Sequence, residues 1–155
     1  MSKKIVLLSI AVLAITLTTT YFLNFNPTKE ADVERYVAEV FKSPSCGCCH
    51  GYIAALESDG FQVKSVDMDD LTEIKNKYNI PASMQSCHTT IIGRYFIEGH
   101  VPLEAVKKLL QEQPDIDGIA LPGMPIGTPG MPGPKEAPYI IYQIKSGQYS
   151  EFMKI

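Results

Sequence analysis

The sequence predicts an α/β domain with a central mixed sheet, helices on both of its faces, a Pro/Gly/Met-rich loop and C-terminal strands. Three observations predict it. Strand-type alternation and helical spacing follow one another over residues 36–111 in the order strand, helix, strand, helix, hairpin, helix. A cysteine cluster interrupts the first strand–helix junction. Two more strand patterns follow a stretch too rich in Pro and Gly to be helix or sheet.

The elements justify themselves in chain order. Val33 to Phe41 alternates loosely and ends before Ser43-Pro44, and its second half reads as a strand. Cys48 to Ser58 carries Tyr52, Ile53 and Leu56 at helical spacing, and Gly60 suits the residue that ends such a helix. Phe61 to Val66 alternates as a second strand. Leu71 to Tyr78 is a short helix with Asp67, Asp69 and Asp70 ahead of its N-terminus, where the dipole favours acids. Thr89 to Gly93 and Tyr95 to Glu98 form a hairpin turning at Gly93-Arg94. Pro102 opens a helix to Gln111, with Val106, Leu109 and Leu110 apolar. Nine of the thirteen residues 122–134 are Pro or Gly, so this is a loop. Tyr139 to Lys145 and Tyr149 to Met153 are strands joined at Ser146-Gly147. This order is the thioredoxin-like plan, which keeps its reactive cysteines between the first strand and first helix. A helix N-terminus there stabilises thiolate.

The ends of the chain set the domain boundaries. Met1-Ser2-Lys3-Lys4 is basic, and Ile5 to Phe25 contains no charged residue. That is the pattern of a secretory signal, and it is also long enough to span a bilayer as an uncleaved anchor. A clean A-x-A cleavage site is missing near residue 20, and Tyr21-Phe22 suit a membrane interface. Residues 1–26 are therefore expected to be a signal peptide or signal anchor, 27–35 a linker and 36–155 the folded domain. Positive charge ahead of the apolar run places that domain outside the cytoplasm, touching a membrane only through the N-terminal segment if it is retained. No cysteine follows the apolar run, so a lipid anchor is not indicated.

Charge and motifs exclude several functions. The chain carries a net −3, and the two positive charges of Lys3 and Lys4 leave the remainder at −5. With no basic cluster, no nucleic-acid partner is expected. The sequence has no glycine-rich phosphate loop, no G-x-S-x-G and no H-E-x-x-H.

The chemistry is concentrated in the cysteines. Cys46-Gly47-Cys48-Cys49-His50 places three thiols in four residues, and Cys87-His88 adds a fourth just before the hairpin. In the thioredoxin-like plan Cys87 faces Cys46 and Cys49, so all four meet. In an oxidising compartment such cysteines also invite disulfides, and Cys46 and Cys49 have C-x-x-C spacing. Dense thiols beside imidazole suit soft metals, Cu(I) first and zinc as the alternative. Iron–sulfur ligation is disfavoured by assembly outside the cytoplasm.

Methionines and histidines extend the candidate set. Met124 and Met131 sit in two Gly-Met-Pro tripeptides, where a thioether is either a Cu(I) ligand or a flexible gap-filler. Met68 and Met84 read as core. His88, beside Cys87, and His100, after Gly99, are candidate ligands. His50, on the helix after Cys49, reads as facing solvent rather than a metal and is left out.

These motifs resemble a known family. Lys42-Ser43-Pro44-Ser45-Cys46-Gly47-Cys48-Cys49, Ser86-Cys87-His88-Thr89, Ile97-Glu98-Gly99-His100-Val101-Pro102 and Leu121-Pro122-Gly123-Met124-Pro125 are similar to the CopG-like proteins of bacterial copper resistance, over about residues 36–153. The resemblance implies a thioredoxin-like fold, periplasmic export and copper held by Cys46, Cys48, Cys49 and Cys87 with loop methionines. It also implies interconversion of Cu(I) and Cu(II) and work beside other periplasmic copper-resistance proteins. Three functions compete: a copper-binding protein, with or without copper oxidoreductase activity; a thiol–disulfide oxidoreductase using Cys46 and Cys49; and a passive copper or zinc store or chaperone. No catalytic residue is assigned beyond Cys46 and Cys49 as redox candidates.

Overall fold

A computed structural model describes residues 36–155. The export segment and the linker expected over residues 1–35 lie outside them. Among the described residues no helix is long and apolar enough to cross a membrane.

The elements are β1 (Val37–Lys42), α1 (Gly47–Ser58), β2 (Gln62–Asp67), α2 (Thr72–Lys77), a 3-10 turn (Ala82–Met84), β3 (His88–Ile92), β4 (Tyr95–Glu98), α3 (Leu103–Glu112), β5 (Gly118–Ala120), β6 (Ile140–Lys145) and β7 (Gln148–Lys154). Every expected element is present, with bounds shifted by a residue or two. Gly60 ends α1 with φ +94°. Asp70 Oδ1 accepts from the Thr72 N–H at 2.8 Å and holds the first turn of α2. β5 is an addition: three residues are too short to leave a readable alternation.

All seven strands form one mixed sheet in the order β2-β1-β3-β4-β5-β6-β7. β1 runs parallel to β2 and antiparallel to β3, aligning Lys42 with both Asp67 and His88. β3 and β4 form the expected hairpin, and β5 lies parallel to β4. β6 and β7 extend the sheet antiparallel beyond β5. The first four strands and their helices are compatible with the thioredoxin-like plan; β5 carries the sheet onward to the C-terminal pair.

Alternation along the strands divides the core between the two faces. Ala38, Val40, Ile92, Ile97, Ile119 and Ile141 point to one face and pack with Tyr52 and Leu56 of α1 and Val106 and Leu109 of α3. Phe96, Ala120 and Ile144 point to the other and meet Ile80 and Met84, which follow α2. Met84 is core as expected, whereas Met68 is only half-buried beyond the end of β2.

Candidate metal centre

The C-terminal end of β1 and the N-terminus of α1 bring three cysteines together. Cys46 is the N-cap of α1, without a side-chain cap, and the first turn holds no acid. The free N–H groups there favour sulfur in its anionic form. Cys46 and Cys49 are joined as a disulfide, their Cα atoms 5.4 Å apart. Cys48 and Cys87 are free thiols. Cys87 arrives from the segment that leads into β3, as the plan required.

The four sulfurs converge. Sγ of Cys46 lies 3.6 Å from that of Cys48, and Sγ of Cys87 lies 3.9 Å from Cys48 and 3.7 Å from Cys49. Two sulfurs bonded to one tetrahedral ion at about 2.3 Å stand about 3.8 Å apart. The observed contacts are close to that, so the sulfurs need little movement to share an ion once the disulfide, which holds two of the four, is reduced. Burial, and then the neighbouring Cys48, push the Cys87 thiol up to about 12. Cys87 therefore keeps its proton at neutral pH until a cation replaces it.

Two imidazoles complete the wall. His88 Nδ1 is 3.3 Å and His100 Nε2 3.2 Å from Cys87 Sγ. Both histidines are fully buried. Burial, followed by the charges of His100 and Lys75, lowers His88 to about 3, so its ring is neutral. Burial also lowers His100, against an opposing pull from the Pro129 carbonyl. His100 Nδ1 lies 2.7 Å from Pro129 O. A proton on Nδ1 directed there leaves the Nε2 lone pair facing the sulfur. Tyr52 backs both rings at 4.6 and 5.7 Å and donates its hydroxyl to Val101 O at 3.2 Å.

The Pro/Gly/Met-rich loop comes to this site through Pro129 and Gly130. Gly130 lies so close to α1 that an added Cβ would stand 2.5 Å from Cys48 O. Met131 follows directly and is half-buried, its N–H bonded to Thr128 O at 2.8 Å. Met124 sits at φ +48° and is 40% exposed. His50 is exposed, consistent with leaving it out.

Sequence reasoning missed the support beneath Cys87. Lys75 and Glu98 form a buried ion pair. Glu98 also accepts from Ser86 N–H and Thr89 Oγ1, both at 2.6 Å, and Lys75 donates to Ser86 O at 3.0 Å. The residues on either side of Cys87-His88 are thereby anchored. The two charges are 23 positions apart and share no local pattern. The only trace in the sequence was a lysine in α2 and a glutamate ending an otherwise apolar strand.

The comparisons fit this geometry. A family model described as "Protein of unknown function, DUF411" matches residues 84–131, which include Cys87, His88, His100, Met124 and Met131. No curated protein matches. Two solved structures are similar. Copper resistance protein CopG in form 2 is 38% identical over 77% of this chain and 98% of its own, with a TM-score of 0.71. Form 1 is 39% identical over 77% and 96%, with the same TM-score. With this identity spread over nearly the whole length of those proteins, the chain belongs to the CopG copper-resistance family.

Proposed function

We propose that this chain is an exported copper-binding protein that holds several Cu(I) ions through Cys46, Cys48, Cys49 and Cys87 and interconverts Cu(I) and Cu(II). The observation that carries this reading is the convergence of four sulfurs at metal-sharing distances. Thiolates that close together bridge soft ions, and Cu(I) is the first-row ion that favours them most. His88 Nδ1 and His100 Nε2 lie 3.3 and 3.2 Å from Cys87 Sγ as further donors, and Met131 follows Gly130, which packs against α1. Met124 is the least supported of the expected ligands. Relatives named as copper resistance proteins support the choice of copper, and the uncharged run after Lys4 supports periplasmic export.

The disulfide supplies the redox chemistry. The Cys46 and Cys49 thiols close their S–S bond as two Cu(II) ions become two Cu(I) ions and two protons leave. The same reaction reversed takes up two protons, opens the bond and oxidises two Cu(I). The test is anaerobic loading of the reduced chain with Cu(I) against a competing chelator, followed by X-ray absorption at the copper edge. More than one sulfur-bound copper per chain is expected. A chain that takes up no Cu(I), or that prefers zinc, would sink the reading.

The same disulfide favours a second reading, a thiol–disulfide oxidoreductase with Cys46 as nucleophile and Cys49 as resolving thiol. The adjacent free Cys48, 3.6 Å from Cys46, weighs against it by offering a competing disulfide. Turnover in a metal-free insulin-reduction assay decides between them.

A further inference from the structure

The sheet has a second end, and the turns there enclose a cleft. β1 and β3 align Lys42 with His88, so the cysteine cluster lies where β1 ends and β3 begins. At the other end lie the Gly93-Arg94 turn, the approach to β5 and the Ser146-Gly147 turn. With the residues that close α2, these segments line a cleft of about 740 Å³. None of its lining residues belongs to the group of cysteines and histidines.

The charge of the cleft is unevenly satisfied. It carries three cations, Lys77, Arg94 and Lys145, and two carboxylates, Asp115 and Asp117. Both carboxylates have partners within the protein. Asp115 Oδ1 takes Lys145 Nζ at 2.6 Å, and Asp117 Oδ2 accepts the Ser146 N–H at 2.6 Å. What is left without a counter-charge is positive. Six of the ten Lys and Arg residues among the described residues are held in ion pairs. Lys77 and Arg94 are not, and both line this cleft.

Arg94 is already set to receive an anion. Its Nη2 shares its hydrogens among Tyr95 Oη at 2.7 Å and the carbonyls of Pro114 and Gln113 at 2.7 and 3.1 Å. The guanidinium also lies over the Tyr95 ring, 4.8 Å from its centroid. An exposed arginine ordinarily gives up rotamer freedom when it binds; here the fold has restricted it beforehand. Nε and Nη1 keep their N–H groups without a protein partner among the described residues. That edge is the planar fork that matches a carboxylate or phosphate. Lys77 adds a point charge beside it, its Nζ resting 5.6 Å from the centre of the Tyr78 ring.

We propose that this cleft binds a small solute by its oxyanion, a carboxylate or phosphate group held by Arg94 and Lys77. The volume is that of a small-molecule site, and a lining this rich in charge suits a hydrated, polar solute in place of an apolar one. Three cations against two carboxylates leave the cleft at +1, whereas the whole chain is at −3. The cleft therefore attracts anions that the rest of the protein repels. Arg94 supplies the directional contact and Lys77 the added charge, while Asp115 and Asp117 hold the Lys145 side chain and the Ser146 turn in place. The proposal goes beyond the copper reading and does not depend on it.

The test titrates the full, metal-free chain with inorganic phosphate and separately with succinate at constant ionic strength, and follows the backbone amide NMR signals. The expected result is saturable shifts confined to the segments around Lys77, Arg94, Asp117 and Ser146. Saturation by phosphate alone identifies a phosphate ligand, and saturation by succinate alone a carboxylate. Arg94→Lys keeps the charge but loses the fork, and should weaken binding about tenfold or more. Lys77→Gln should weaken it as well, and this exposed side chain makes no protein hydrogen bond whose loss would disturb the fold. Lys64→Gln removes the same charge from β2, away from the cleft, and should leave binding unchanged. Shifts that rise without saturating for both probes, that spread over lysines elsewhere, or that persist in both the Lys77 and Arg94 variants would overturn the proposal. Cu(I) loading of the same variants should match the parent, so failure here and failure of the copper reading are separate results.

Discussion

Cys87 Sγ stands 3.7 Å from Cys49 Sγ although 38 positions separate them in sequence. This contact joins the β3 entrance to the N-terminus of α1 and makes one site from two motifs. Cys87 is also the residue shared by both donor groups. Cys87→Ser should therefore lower Cu(I) affinity more than loss of any other single cysteine, by about tenfold or more on the scale of losing one positioned metal contact. Chelator competition across the four Cys→Ser variants checks the order. Equal losses in all four would refute it.

The Lys75–Glu98 pair should be worth more to the fold than its surface counterparts. Glu98 is fully buried and its partner nearly so. Glu98→Ala leaves a lysine buried without its counter-charge, a loss of about 3–5 kcal/mol. Lys75→Met with Glu98→Gln removes both charges, and the amide still offers an oxygen to Ser86 and Thr89. That double variant should fall within about 2 kcal/mol of the parent, because the uncompensated charge is gone. Urea unfolding gives both values. Lys145–Asp115, exposed on both sides, should change stability by about 1 kcal/mol or less when broken.

Gly51 faces Gly130 across the site. A Cβ added at Gly51 would stand 2.7 Å from Gly130 Cα, and the nearest atoms it meets are all Gly130 backbone. Gly51→Ala must push the loop away and carry the Pro129 carbonyl off His100 Nδ1. The expected cost is about 1–3 kcal/mol in stability. Copper affinity should fall as well, although no ligand is altered. Thermal unfolding with and without copper separates the two effects.

Acid should weaken the metal-free fold through His88. Its imidazole takes a proton near pH 6.5 when the chain is unfolded, but not until about pH 3 when folded. Between those values the unfolded state binds more protons, so stability falls as pH drops. The full difference is on the order of 5 kcal/mol. Glu98, raised by burial despite Lys75, acts in the opposite sense. Comparing His88→Gln with the parent isolates the histidine: the variant should show a flatter decline from pH 6.5 to pH 3. An unchanged slope would show that His88 does not carry the effect.

Much of this was legible along the chain. Strand alternation, the helical spacing of Tyr52, Ile53 and Leu56, and Gly60 at the end of α1 are local signals, because each follows from the backbone period or from one residue's conformational range. The cysteine cluster was legible for the same reason: three of its thiols lie in four residues. β5 was not. It exists because β4 and β6 need a strand between them, and three residues carry too little pattern to announce it.

The sequence by itself determined the element order, the donor types and the soft-metal character of the site. Only the tertiary structure decided how those donors are used. It closed Cys46 onto Cys49, left Cys48 and Cys87 reduced, turned His88 and His100 toward the same sulfur, and set Lys75 against Glu98 beneath them. The physical reason is range. Periodicity and turn chemistry act over a few residues and can be read in order. Burial, ion pairing and metal-donor convergence depend on distances between segments, and those are set only when the sheet aligns β1, β3 and β4.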